Sequence, residues 1–200
     1  MLKWFCKTIS LFKSMDKANN FHKGKILIAD PFLLGPIFER SVIFLADHSA
    51  VGAMGFILNQ PSSYTVEQAV PELEGCNHKM YYGGPVDESL LFYIHTLGDV
   101  LPKSVQIGNG LYWGGEFESL INLNKQGKLN SDNIKFFVGY SGWEAEQLEG
   151  ELEKNSWIIG DFKKNYLFQD QNKTLWNNTI GQSGDDSSFM GNFAHSPSMN

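Results

Sequence analysis

Residues 134–159 read IKFFVGYSGWEAEQLEGELEKNSWII, a pattern that predicts strand, tight turn, helix and strand. Phe136, Phe137 and Val138 form an apolar run closed by Gly139, as expected of a strand buried on both faces. Ser141-Gly142-Trp143-Glu144 has the Ser-x-x-Glu spacing of a capping box, in which each side chain would accept from the other residue's backbone N–H. A helix is expected from there to about Lys154, with Ala145, Leu148 and Leu152 as its core stripe. Trp143, Gln147 and Glu151, spaced by four, form the adjacent stripe. Asn155 suits the helix end, and Ser156 to Ile159 resumes an apolar strand. A Gly-flanked turn of this kind either offers backbone N–H groups to an anion or packs the helix tightly on a sheet. Glu144 and Glu146 would repel an anion there and favour packing.

Upstream, the core opens at Gly24. Residues 25–29 (KILIA), 41–46 (SVIFLA) and 54–58 (MGFIL) read as strands, the last two joined as a hairpin across Gly52. Thr65-Val66-Glu67-Gln68 is a second capping box, opening a short helix that Pro71 should end. Further strands are expected at 79–82 and 90–95, with a hairpin pairing 105–107 and 111–113 around Gly108-Asn109-Gly110. Residues 116–126 read as a helix burying Phe117, Leu120 and Ile121, with Gly127 just past its end. Tyr166 to Phe168 reads as a last strand and 174–180 as a last helical turn. Close hairpins with interspersed helices give an α+β class and a mixed sheet.

The chain has 200 residues, of which 42% are hydrophobic and 19% charged, so it is globular and long enough for one core with tails. Residues 1–20 are expected to be a basic amphipathic N-terminal extension, residues 21–180 the domain, and residues 181–200 a disordered tail. Leu2, Phe5, Cys6, Ile9 and Phe12 share one helical face of the extension, opposite Lys3, Lys7, Ser10 and Ser14. Such a segment can touch an anionic membrane surface through residues 1–14, or be a short docked helix, or precede a true start at Met15. The charge is split: five Lys against one Asp in residues 1–23 give +4, and eleven basic against twenty-one acidic residues give −10 in the remainder. With Arg40 as its one arginine and a net charge of −6, the chain is a poor candidate for direct nucleic-acid binding. Cys6 and Cys76 form no metal-ligand spacing or disulfide framework, so a reducing cytoplasm is the default location.

Five pieces in order, GKILIADPFL (24–33), FERSVIFLADH (38–48), GAMGFILNQP (52–61), GGPV (83–86) and GYSGWEAEQLEGELEKNSWI (139–158), resemble the AlgH/YqgE family of bacterial proteins. The resemblance implies one domain built on a bifurcated, barrel-like mixed β-sheet with flanking helices. It implies no settled activity, although some members are linked to transcriptional control of exopolysaccharide production. The family's usual Gly before Gln-Leu-Glu is Glu146 in this chain.

The residues themselves offer several sites. His48, at a strand end beside Asp47, could act as an acid or base, and with Asp47 or Glu39 it supports an alternative reading as a hydrolase on a small anionic substrate. Ser41, Ser89 and Ser141 lie outside any GxSxG motif, and Gly83-Gly84-Pro85 lacks the length and the lysine of a phosphate-binding loop. No cofactor, metal or catalytic residue is assigned. Asn59, Gln60, Trp143 and Gln147 suit a recognition groove. The expected ligand-binding set is Arg40, His48, Asn59, Gly83, Gly84, Ser141, Trp143 and Gln147, converging on one rim. The first reading is a non-enzymatic binding or regulatory domain with a protein or small-molecule partner and, at most, an indirect role in transcription.

Overall fold

The computed structural model describes residues 22–33, 35–169 and 172–182. Its strands are β1 Lys25–Ala29, β2 Val42–Ser49, β3 Gly52–Ile57, β4 Pro61–Thr65, β5 Lys79–Tyr82, β6 Val86–His95, β7 Val105–Gly108, β8 Leu111–Trp113, β9 Ile134–Glu144 and β10 Trp157–Asp161. Its helices are α1 Val66–Ala69, α2 Phe117–Lys125, α3 Gln147–Glu153, α4 Lys164–Phe168 and α5 Leu175–Ile180, with a 3-10 turn at Pro71–Leu73. The expected N-terminal amphipathic helix and the tail beyond residue 182 lie outside the described residues.

The strands follow the order β10-β1-β2-β3-β9-β6-β8-β7, with β5 also on β9 and β4 outside β5. All pairs are antiparallel except β5 with β9. Strand β9 is the fork. On one of its edges Met80 to Tyr82 pair with Phe136 to Val138, and beyond Gly139 the same edge passes to β3, where Gly55 opposes Ser141 and Gly52 opposes Glu144. Two strands can share one edge only if their ends pass within backbone contact. Gly139, at φ +66°, sits at the crossing, and a Cβ there would lie 2.4 Å from the Gly84 carbonyl oxygen. A Cβ on Gly84 would lie 2.4 Å from the Ser141 nitrogen.

Gly139 therefore bends the strand instead of ending it, and Ser141 is no helix cap. Residues 141–144 find a sheet partner in β3, and pairing with it replaces the expected helical turn. Helix α3 starts only at Gln147, whose Oε1 accepts from the Glu144 N–H at 3.0 Å. Ala145 falls in the exposed connection, while Leu148 and Leu152 bury as expected. Asn155, at φ 58°, closes the helix with Asn155 N–H to Leu152 O and Ser156 N–H to Glu151 O.

The curled sheet encloses one core, with Phe44, Phe56, Phe137 and Trp176 inside and α4 and α5 closing it. Outside, α1 and α2 cover one half through Val66, Leu120 and Leu123 against Met80 and Phe136. Helix α3 covers the other half, packing Leu148 and Leu152 on Leu27, Ile43 and Leu45. The result is an α+β half-barrel of a single domain. Two local expectations change, and one strand, β4, was not expected. Tyr166 to Phe168 is helical, since Tyr166 and Leu167 fill the barrel end rather than extend an edge. Helix α2 turns Leu120 and Leu123 inward and leaves Phe117, in its first turn, 36% exposed. Strand β4 carries Pro61, tolerated because β4 is an edge strand.

Candidate functional site

The expected rim does not form, because its residues lie in three places. Asn59 accepts from Val42 N–H at 2.9 Å and donates to Arg40 O at 2.9 Å, so both amide ends brace the loop entering β2. The Gln60 amide does the same for Ile37 O. Arg40 projects here, its guanidinium 5.8 Å from the Trp176 ring centroid. His48 is six residues beyond Val42 along β2, roughly 20 Å away at extended-strand rise. Gly83, Gly84 and Ser141 lie between, buried at the fork, with the Ser141 hydroxyl donating to Gly83 O at 3.1 Å. Close backbone packing explains these three, and no ligand can reach them.

The structure does gather His48, Trp143 and Gln147. His48 opposes Ala53 and Ala53 opposes Trp143, so the three share one row beside α3. His48 Nε2 meets Glu149 Oε1 at 2.9 Å, so the carboxylate beside it is neither Asp47 nor Glu39. Glu151 accepts from the indole N–H groups of Trp143 (2.9 Å) and Trp157 (2.7 Å) and from the Gln147 amide (3.0 Å). Trp143 faces inward at 7% exposure, so it anchors α3 rather than lining a groove. His48 is not brought together with Ser141, which bonds Gly83 O, or with Arg40, which lies by Trp176.

A second serine–histidine contact has a structural cause. His95 is fully buried, accepts from Leu97 N–H on Nδ1 at 3.1 Å, and meets Gly114 O through Nε2 at 2.8 Å. Nε2 therefore carries the proton and cannot take one from Ser104, whose hydroxyl donates to Leu101 O. Burial holds the His95 imidazole below its ordinary value, against the opposing bond to Gly114. Among the described residues, no group of three His, Cys, Asp or Glu side chains is placed to hold a metal.

The concave site lies at the mouth of the half-barrel, where β5 and the first half of β9 begin. Lys79, Tyr81 and Lys135 meet the 129–131 loop and the end of α4 around a cleft of about 530 Å³. Lys135 is only 7% exposed. Its ammonium donates to Leu58 O at 3.0 Å and lies 3.6 Å from the Tyr81 ring centroid. The ring face and the carbonyl stabilise a charge that burial alone would penalise. His78 stands beside it with its edge toward Phe136. Burial pushes the His78 imidazole below its ordinary value, with a backbone hydrogen bond involving Leu129 opposing, so it is neutral at pH 7 and offers one donor and one acceptor. Asn77, Asn130 and Gln169 add amides. The described lining thus includes two lysines, in a chain of net charge −6. The clue in the sequence was Lys135 itself, a charge inside a run otherwise destined for burial.

The AlgH-like family model matches residues 26–188, which spans the fork, the α3 anchor and the cleft. The chain belongs to the AlgH-like family. It is 41% identical over 179 residues to a UPF0301 protein of Cytophaga hutchinsonii, covering 89% of this chain and 98% of that one. A Bacteroides fragilis UPF0301 protein is 38% identical, covering 89% and 91%. The solution structure of AlgH from Pseudomonas aeruginosa superimposes with a TM-score of 0.68 at 26% identity, covering 90% of this chain and 95% of AlgH. A crystal structure of a Corynebacterium diphtheriae protein shares the AlgH-like fold, with a TM-score of 0.71 at 20% identity and coverage of 86% and 92%. Among the described residues, no helix is long and apolar enough to cross a membrane.

Proposed function

We propose that this AlgH-like chain is a cytoplasmic binding or regulatory domain whose ligand is a small organic anion held in the Lys135 cleft. The supporting observation is the lining: two lysines, a neutral His78 and three amides beside the aromatic rings of Tyr81 and Phe168. A cleft of this volume suits a molecule of metabolite size. The lysines would draw in a carboxylate or phosphate, the amides would fix its orientation, and the rings would cover its apolar part. An influence on transcription would then pass through a partner protein, since a net charge of −6 disfavours DNA. The hydrolase alternative retains only the His48–Glu149 pair.

The test is a thermal-shift screen of the full chain against carboxylates, phosphosugars and nucleotides. A ligand at a hundred times its Kd stabilises by about 2.7 kcal/mol. The expected hit is an anion whose shift disappears in Lys135→Met and weakens in His78→Ala. A blank panel, or a hit unaffected by Lys135→Met, refutes the cleft as the recognition site.

A further inference from the structure

Strand β8 leaves the edge of β6 early. Ile94 opposes Trp113, His95 opposes Tyr112, and the Gly114 N–H donates to Tyr93 O at 3.0 Å. One rung further, Glu116 would stand opposite Leu91. Its N–H instead donates to Pro102 O at 2.8 Å. The departure is made by Gly114 and Gly115, at φ +67° and +126°, backbone that residues with a side chain rarely adopt. The Tyr93 phenol donates to Gly115 O at 2.8 Å and fixes the turn. Alternate residues of an antiparallel strand face alternate edges, so Leu91 points its N–H and C=O the same way as Tyr93. Among the described residues, no strand lies beside Leu91 on that edge.

The space that β8 vacates is a groove of about 490 Å³, lined by Leu91, Phe92, Trp113, Val70 and Phe117, with Glu72 at its side. Phe92 and Trp113 pack with the inner core, and Val70 and Leu91 with the layer beneath α1 and α2. Leu90, next to the open rung, is 50% exposed. An unpaired strand edge between apolar walls is where an extended chain can add as a further strand.

The chemistry of the groove selects the occupant. Successive side chains of an added strand point to opposite faces. One set would meet Phe92 and Trp113 and the other Val70 and Phe117, so both sets are apolar over the groove. Glu72 lines it, and the exposed Glu118 follows Phe117. Basic residues flanking the apolar stretch complement these two carboxylates. A second copy of the chain, meeting this face with the same face, would set acid against acid.

We infer that the β6 edge at Leu91 takes up a short extended peptide of a partner protein, apolar over the groove and flanked by lysine or arginine. The peptide pairs as the strand that β8 does not continue. Strand β5 pairs on one edge of β9 and β6 on the other, so this site is separate from the Lys135 cleft and needs no anion bound there.

The test selects a phage-displayed library of random decapeptides on the full chain and synthesises the most enriched sequence. Consecutive apolar residues with a basic residue at one end are expected. The bound peptide should slow hydrogen exchange at the Leu91 amide several-fold, read by NMR on the isotopically labelled full chain. Two versions methylated on alternate backbone nitrogens, one in each register, probe the pairing: one should lose binding and the other keep it, because an added strand turns only every second N–H toward β6. Glu72→Lys and Phe117→Asp, both at exposed positions and compared by circular dichroism with the parent chain, should weaken binding several-fold. An empty selection, enrichment of acidic peptides, or unchanged exchange at Leu91 overturns the inference. Equal binding of the two methylated versions does the same. Protection of Leu91 that rises with protein concentration in the absence of peptide also overturns it, by assigning the edge to a second copy.

Discussion

Replacing Glu151 by Ala should cost far more than a half-exposed glutamate on a short helix suggests. Its carboxylate is the acceptor for both the Trp143 and the Trp157 indole N–H groups, which are 7% and 2% exposed as residues and so nearly closed to water. Each buried donor left without an acceptor costs about 1–3 kcal/mol. The better helix propensity of Ala returns only about 0.5 kcal/mol. The expected net loss is about 3 kcal/mol, which for a domain of this size lowers Tm by roughly 6–12 °C. Both indoles donate to one oxygen, Oε2, so Glu151→Gln with its amide oxygen in that place keeps both bonds, gives up the Gln147 contact and should lose clearly less. Urea unfolding followed together by circular dichroism and tryptophan fluorescence measures both variants. A loss below about 1 kcal/mol for Glu151→Ala, or identical losses for Ala and Gln, would refute the two-indole account.

Glu146 sits at φ 63°, where a side chain costs about 1–2 kcal/mol that glycine avoids, so Glu146→Gly should stabilise by about 1 kcal/mol in the same titration. Gly139→Ala should fail to give soluble folded protein, because its Cβ would lie 2.4 Å from a backbone oxygen that cannot yield; a normal melting curve would contradict the fork geometry. His78 and His95 both fall below the ordinary value of 6.5 on folding, so the unfolded chain binds more protons below that pH. Their contribution is therefore complete above pH 6.5 and lost as pH falls, and melting between pH 8 and pH 5 should show a decline that His78→Ala makes shallower. Burial raises the Cys76 thiol, so alkylation at pH 7.5 should follow unfolding, and prompt labelling of the native chain would contradict its placement.

Strand positions were legible wherever apolar runs met turn residues, as in β1, β2, β3 and the β7–β8 hairpin. The Ser141–Glu144 box misled because its local pattern is sound and only the distant edge of β3 overrides it. Pairing between residues almost ninety positions apart leaves no local trace. The same holds for Glu151, recognisable as one member of a four-spaced stripe but not as the acceptor for a tryptophan that arrives from β10. Arg40 and His48 looked like neighbours in sequence, yet an extended strand sets them at opposite ends. The cleft stayed hidden because Lys79, Lys135 and the 129–131 loop meet only after parallel pairing. The family's glycine at the Glu146 position now has a backbone explanation, a left-handed turn before α3, and needs no bound anion.

Because β9 enters both halves of the sheet, its late place in the chain has consequences for folding. The first 133 residues include β3, β5 and β6, each of which would present an open edge until residues 134–144 arrive. Neither half can close alone, and both close on the same event. Such long-range closure is slow relative to local hairpins and exposes strand edges meanwhile. The nascent protein therefore faces its greatest aggregation hazard in the interval before the fork strand emerges. Once that strand is seated, the two halves should unfold in one transition, with no stable half-molecule between.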